Sequence, residues 1–385
     1  MRKFTVFIIL VLTICSFMLT SCHQESNECV HEEKKILEEK AASCNEDGLT
    51  EGEACAICGE ILREQDVIPK YTSHEFFNGS CRHCDALDPY STLEFTLSED
   101  GKYRILSGIG EYTDEELIVP TEHDLKPVKE IAAEAFKNNK TLKKVVIPEG
   151  ITKVGDHAFS NCSVEEAEIN TANAELGIYL FERSGIKKLT LHNDIKIIPA
   201  GIFYQCGGIK EFTIGENIEE IHNNAFAYTA IEKLTIPGNV KIVGYRAFYY
   251  CEELKELTIC EGVTQIISQA FFGCFRYVDP ECIVLPDSLT VLDREAFRSC
   301  GYITELVIGD GLEEISARAF YGCDIDKVVI GKKVNKIGED AFTSTHCNYH
   351  IESMEQWNAI KNYNQIMGAF GYALYVNGEK VYSSY

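Results

Sequence analysis

Eight residues near the start of the chain could carry metal or thiol chemistry: Cys29, His31, Cys44, Cys55, Cys58, His74, Cys81 and Cys84. Four of them form two knuckles, Cys55-Ala-Ile-Cys58-Gly59 and Cys81-Arg-His-Cys84. Thiolates and imidazoles are the ligands of tetrahedral zinc, and a C-x-x-C pair brings two sulfurs to one turn. Gly59 after the first knuckle suits a tight turn around a metal. Two ligand sets fit the spacing. One is Cys55, Cys58, Cys81 and Cys84. The other joins His31 and Cys44 to Cys55 and Cys58, and leaves His74, Cys81 and Cys84 for a second, incomplete site. Structural zinc is the cofactor expected on either set. Disulfides compete with it if the chain is exported, because that compartment is oxidising. Redox chemistry fits less well, since no thioredoxin-like βαβ pattern surrounds either pair.

Export follows from the N-terminus. Arg2 and Lys3 precede an apolar run over residues 4–19, and small residues lead to Cys22. A charged start, a short apolar core and a small-residue exit describe a signal peptide. The run is too short to cross a membrane comfortably as a helix. Leu19-Thr20-Ser21-Cys22 resembles the lipobox of bacterial lipoproteins. That resemblance implies cleavage before Cys22, a lipid anchor on its thiol, and a place on the outer face of the cell envelope. A plain secretory signal, with Cys22 an ordinary thiol, is the alternative. Cleavage removes two cations and no acidic residue, so the net charge moves from −24 to −26. Such acidity disfavours nucleic acid, whose binders present a basic face.

What must position any site is a repeat. Phenylalanine stands at 136, 159, 181, 203, 226, 248, 271, 297, 320 and 342. Five residues before each stands an aliphatic residue, from Ile131 through Ile198 to Ile337. The residue just before the Phe is Ala except at Leu180 and Ile202. A strand-like L-x-x-L-x-I segment follows, as in Leu254-Lys-Glu-Leu257-Thr-Ile259. A period of this length predicts a leucine-rich-repeat solenoid, in which each coil buries its apolar side only against its neighbours. The expected fold is an α/β repeat: a parallel β-sheet on one face, short helical turns on the other, and a small Cys/His module in front.

Three residues after the Phe, the column accepts Asn139, Cys162, Ser184, Cys206, Thr229, Cys251, Cys274, Cys300, Cys323 and Thr345. Free exchange of Cys with Ser, Thr and Asn describes a small polar site in a turn, with buried reduced thiols. Cys274 and Cys282 bracket an insertion, and a disulfide between them is the exception to weigh.

The form Val243-GYRAF-YY-Cys251-EE-Leu254-KE-Leu257-T-Ile259 resembles the BspA-like (Treponema pallidum-type) leucine-rich repeats. The resemblance covers roughly residues 93–347 and implies a cell-surface adhesion or interaction protein. It also implies an opening cap from Leu93 and a closing cap around Trp357. The expected order is a signal peptide (1–21), a tether (22–28), the Cys/His module (29–90), an opening cap (91–130), the solenoid (131–347) and a closing cap with C-terminal strands (348–385). The end of the chain reads as a strand pair about an Asn377-Gly378 turn.

Solenoids usually bind with the sheet face. Two columns should point outward there: Lys144, Glu166, Lys188, Glu211, Lys233 and Glu256, alternating in charge, and Thr190, Thr213, Thr235 and Thr258. The plain alternative is a self-satisfied ladder, since opposite charges on adjacent strands support one another. On the turn side, Tyr204, Tyr249, Tyr250, Phe272 and Tyr321 form an aromatic set, for which packing between coils is the plain reading. No G-x-S-x-G, H-E-x-x-H or phosphate-binding glycine loop occurs. The expected function is therefore a binding module for an extracellular protein or glycan, not an enzyme, with an envelope spacer as the alternative.

Overall fold

The computed structural model describes residues 31–277, 280–342, 347–361 and 373–383. The expected signal segment and the expected lipidation site, Cys22, lie outside the described residues. Among those described, no helix is long and apolar enough to cross a membrane. The chain divides into two compact units, one ending at His74 and the other starting at Glu75. That division falls inside the module expected over residues 29–90.

The first unit holds an antiparallel sheet of three short strands, Lys34–Leu37, Gly52–Cys55 and Ile61–Arg63. Gly48–Leu49 pairs with Val67–Ile68 beside it. Among its described residues only Ala54 and Cys55 are buried hydrophobics, while Ile36, Ile57, Ile61 and Val67 stand exposed. So little buried apolar surface cannot offset the entropy of ordering a chain this short.

The second unit is a β-solenoid of stacked coils. Its long strands pair in parallel in three runs. The first is Glu116–Ile118, Lys144–Ile147, Glu166–Ile169 and Lys188–Leu191; the second is Lys233–Ile236 with Glu256–Ile259; the third runs from Cys282–Leu285 to Ala373–Val376. Two-residue strands such as Ile242–Val243 and Gln265–Ile266 pair in parallel elsewhere on each coil. Alternation along each long strand sends one side chain inward and the next outward, as in Lys233–Ile236, where Leu234 and Ile236 are buried.

The core is the phenylalanine column. Phe226, Phe248, Phe271, Phe297, Phe320 and Phe342 stack ring on ring, with centroids 4.8–5.5 Å apart and planes within 11°. Ala225 and Ala247, each just before its Phe, are fully buried, so the backbones of neighbouring coils approach closely.

The face carrying the Ala-Phe pairs is not helical, contrary to the sequence expectation. Each coil there places two residues in the left-handed region, one on either side of the Phe: His157 (φ 55°) and Asn161 (φ 54°) about Phe159, Arg246 (φ 54°) and Tyr250 (φ 54°) about Phe248. A left-handed residue breaks the right-handed run a helix needs. The backbone donors point to the next coil instead. Phe159 N–H donates to Leu180 O at 2.9 Å and Phe226 N–H to Ala247 O at 2.7 Å. The only α-helix among the described residues is Met354–Ala359, capped by Ser353 and burying Trp357.

The cysteine column satisfies backbone groups. The thiols of Cys162, Cys206, Cys300 and Cys323 donate to the Phe carbonyl of the preceding coil, at 2.8, 2.9, 2.9 and 2.9 Å. Thr229 Oγ1 donates to its own Phe226 carbonyl at 2.8 Å. Cys274 is buried and donates to Phe248 O at 3.1 Å, while Cys282 is exposed on the sheet; the two do not pair. At the C-terminus Ala373–Val376 pairs antiparallel with Glu379–Ser383. Asn377 (φ 50°) and Gly378 (φ 82°) make the tight turn between them.

Burial pushes the Cys162 and Cys206 thiols up to about 11. An unfolded thiol ionises near about 8.5. The folded state thus holds more protons between those values, and stability falls as pH rises through that window, with no effect below it. Urea midpoints measured at pH 7 and pH 10 should drop accordingly, and iodoacetamide at pH 8 should leave this column unmodified until the chain unfolds. Gly201 sits at φ 64° with the Tyr179 ring where a Cβ would go. Gly201→Ala should cost roughly 1–2 kcal/mol or more in urea unfolding; an unchanged midpoint would contradict the left-handed geometry.

Candidate functional site

The outward columns lie where the repeat places them. Lys144, Glu166 and Lys188 are register partners on three adjacent strands, as are Lys233 and Glu256. Thr190, Thr213, Thr235 and Thr258 are all exposed beside them. Part of the ladder closes on itself. Lys233 donates to Glu256 at 2.7 Å, and that hydrogen bond holds its ammonium above the ordinary lysine value. Lys144 pairs with Glu116 at 2.9 Å and reaches Glu168 at 3.9 Å. Among the described residues, no ion pair closes on Glu166, Lys188 or Glu211.

The ladder breaks between Lys188 and Glu211. Among the described residues no strand pairs with the far edge of Lys188–Leu191, and Glu211 meets Lys233 through a single bridge. Phe212 accounts for the break. It occupies the inward column that carries Val145, Ala167, Leu189 and Leu234 in neighbouring coils. Its ring packs against Phe203 at 5.3 Å and Phe226 at 5.2 Å. A ring of that size holds its segment away from the flanking strands. A cavity of about 200 Å³ opens toward Leu189–His192, and one of about 330 Å³ opens toward Lys233–Thr235. Pockets near this size suit small ligands or single side chains. Sequence reasoning missed Phe212; the signal was an aromatic residue in an aliphatic column.

The aromatic set on the turn side packs between coils. Tyr204 meets Tyr228 edge-on at 5.6 Å, and Tyr249 and Tyr250 lie 5.0 and 5.5 Å from Phe272. Arg298 lies over both Phe272 and Tyr321, at 5.5 and 4.9 Å. Tyr204, Tyr249, Tyr250, Phe272 and Tyr321 are half-buried, as inter-coil packing requires, while Tyr228 is exposed.

In the first unit, His31, Cys55 and Cys58 bring one ligand atom each within 4.8 Å of one another. Such a Cys/His cluster can hold a metal ion. The hairpin turn between Gly52–Cys55 and Ile61–Arg63 sets the geometry. The N–H groups of Ile57 and Cys58 donate to Cys55 Sγ at 3.4 and 3.5 Å. Gly59 takes the left-handed conformation (φ 79°) that closes the knuckle. The Cys58 N–H, with His31 next in weight, lowers the Cys55 thiol to about 6. His31 Nδ1 lies 3.6 Å from Cys58 Sγ, and its other nitrogen lies 3.2 Å from Glu60 Oε2. This group does not include Cys44, whose ligand atom lies within 4.8 Å of that of His74. In the second unit, Cys81 and Cys84 likewise lie within 4.8 Å, and His83 N–H donates to Cys81 Sγ at 3.4 Å. Glu60 was not singled out from the sequence, although it directly follows the knuckle glycine.

Two outcomes test the sheet geometry. Lys233→Ala removes an exposed pair and should change stability by no more than about 1 kcal/mol. Phe212→Leu should let the strand Lys188–Leu191 and the segment 211–214 approach, slowing amide exchange at residues 211–214; unchanged exchange would exclude the ring as the wedge.

The family described as BspA type leucine rich repeat region matches residues 129–254 and 219–350, in six copies. No curated protein matches the sequence. Among solved structures, a leucine-rich cell-surface protein from Faecalibacterium prausnitzii A2-165 is 20% identical, with TM-score 0.39 over 70% of this chain and 96% of its own. A leucine-rich repeat protein from Bacteroides ovatus is 16% identical, with TM-score 0.31 over 75% of this chain and 99% of its own. The leucine-rich repeat protein of T. pallidum is 17% identical, with TM-score 0.25 over 65% of this chain and 84% of its own. The family match spans more than half the residues and coincides with the stacked coils, so this chain belongs to the BspA-type leucine-rich-repeat proteins.

Proposed function

We propose that the protein is a surface-displayed binding module rather than an enzyme. Its anchor is a lipid on Cys22, and its partner is an extracellular protein or glycan. The reading rests on the repeat family, whose members present a regular sheet as an interaction surface, and on the export signal. One observation carries the place of binding: the charge ladder is open where Lys188 and Glu211 face each other across the Phe212 break. The exposed edge of Lys188–Leu191 offers backbone donors and acceptors with no strand across from them. An added extended segment is the partner that satisfies such an edge, and pockets beside it would take alternate side chains.

A spacer without a ligand is the second reading, favoured by the closed pairs at Lys144 and Lys233. Capture by the lipid-free mature chain, residues 23–385, separates the two. Matrix proteins, mucin and bacterial wall fragments serve as bait, with mass spectrometry as the readout. Saturable capture that is lost by at least tenfold in Lys188→Glu with Glu211→Lys, and retained in Lys144→Glu, supports a binder seated at the break. Loss in Lys233→Glu as well extends the site across the second cavity. Absence of any partner, with the fold intact by circular dichroism, leaves the spacer.

A further inference from the structure

We infer that His31, Cys55 and Cys58 are three ligands of a zinc-class cation, with Glu60 orienting His31 from outside the coordination sphere. The distances agree with a metal at the centre. Zinc bonds of about 2.3 Å to sulfur and about 2.0 Å to nitrogen, at tetrahedral angles, separate sulfur from nitrogen by about 3.5 Å. His31 Nδ1 and Cys58 Sγ stand 3.6 Å apart, and all three ligand atoms fall within 4.8 Å.

The surroundings fit a metal better than a simple cross-link. Backbone N–H groups of Ile57 and Cys58 point at Cys55 Sγ, at 3.4 and 3.5 Å, where they steady a thiolate. Glu60 Oε2 stands 3.2 Å from His31 Nε2. A carboxylate on the far nitrogen fixes the ring and leaves Nδ1 to the metal, which is the usual outer-shell arrangement for a ligating histidine. A Cys55–Cys58 disulfide would give neither His31 nor Glu60 a task.

The first unit also needs such a centre. Its three-stranded sheet encloses almost no apolar side chain, and Cys55 is one of two buried hydrophobics among its described residues. Small units of this kind draw folding energy from metal binding. The ion would tie the start of the described chain at His31 to the hairpin turn, closing the sheet at that end.

The test compares metal content of the full mature chain, residues 23–385, with that of variants, using zinc alone and cobalt(II) alone as probes. Cys55→Ser with Cys58→Ser should lose one equivalent of zinc and the matching share of the thiolate-to-cobalt absorption. Amide exchange over residues 31–74 should quicken while the solenoid's exchange stays unchanged. His31→Gln, which keeps both thiols, should lose the same equivalent, and this holds even if the serine variant unfolds the unit. Glu60→Gln should keep the cobalt spectrum and weaken zinc by about 10–100-fold in chelator competition. Equal zinc in the parent and both ligand variants would overturn the assignment. So would an intact mass showing Cys55 and Cys58 joined as a disulfide in protein purified without oxidant.

Discussion

Everything in the second unit depends on one constraint: no coil can bury its apolar side alone. A phenylalanine, an alanine and an aliphatic residue per coil find partners only in the coils before and after. The Phe stack sets the spacing between coils, and the same spacing lets backbone N–H groups of one turn reach carbonyls of the next. The left-handed residues follow from this. They turn the donors outward along the stack, and the helical turns expected from the family pattern cannot form. The cysteine column serves the same end, since the thiols of Cys206 and Cys300 reach across to phenylalanine carbonyls of the preceding coil, which also accept a backbone N–H within their own turn.

A regular stack also makes departures informative. The ring pairs of the column run from Phe136 to Phe181 and again from Phe203 onward. Between them the parallel pairing of long strands stops, and Phe212 fills from the sheet side the space an aliphatic residue fills elsewhere. The turn side stays joined there, because Tyr179 and Phe181 still donate to Ala200 and Ile202. The coils are thus hinged shut on one side and held open on the other. The sheet face has unpaired edges at this break, as it has again between Glu256–Ile259 and Cys282–Leu285.

The two units offset chain entropy by different means. The solenoid does so by area, with a continuous apolar column that grows with each coil. The first unit lacks that area and gathers thiols and imidazoles instead. This explains why the cysteines of one chain behave oppositely. In the repeat, burial raises Cys162 and Cys206 to about 11, whereas Cys55 at the knuckle is lowered to about 6.

The repeat was legible in the sequence because each coil reuses one pattern: Phe at a fixed period, Ala before it, an aliphatic residue five positions earlier. That periodicity determined the parallel sheet, the inward and outward columns and the register of Lys144, Glu166 and Lys188. The Asn377-Gly378 turn was legible for a similar reason, since both residues tolerate positive φ locally. The nature of the turn face was not, because left-handed residues such as Arg246 and Tyr250 carry no signal of their own; only hydrogen bonds to the next coil select them. The grouping of His31 with Cys55 and Cys58, and of Cys44 with His74, was likewise decided by tertiary structure. Spacing fixes which residues share a turn, but residues two dozen positions apart meet only through the path of the intervening strands. The opening at Phe212 belongs to the same class: a single larger ring has no consequence along the chain and acts only across it, where neighbouring coils must make room.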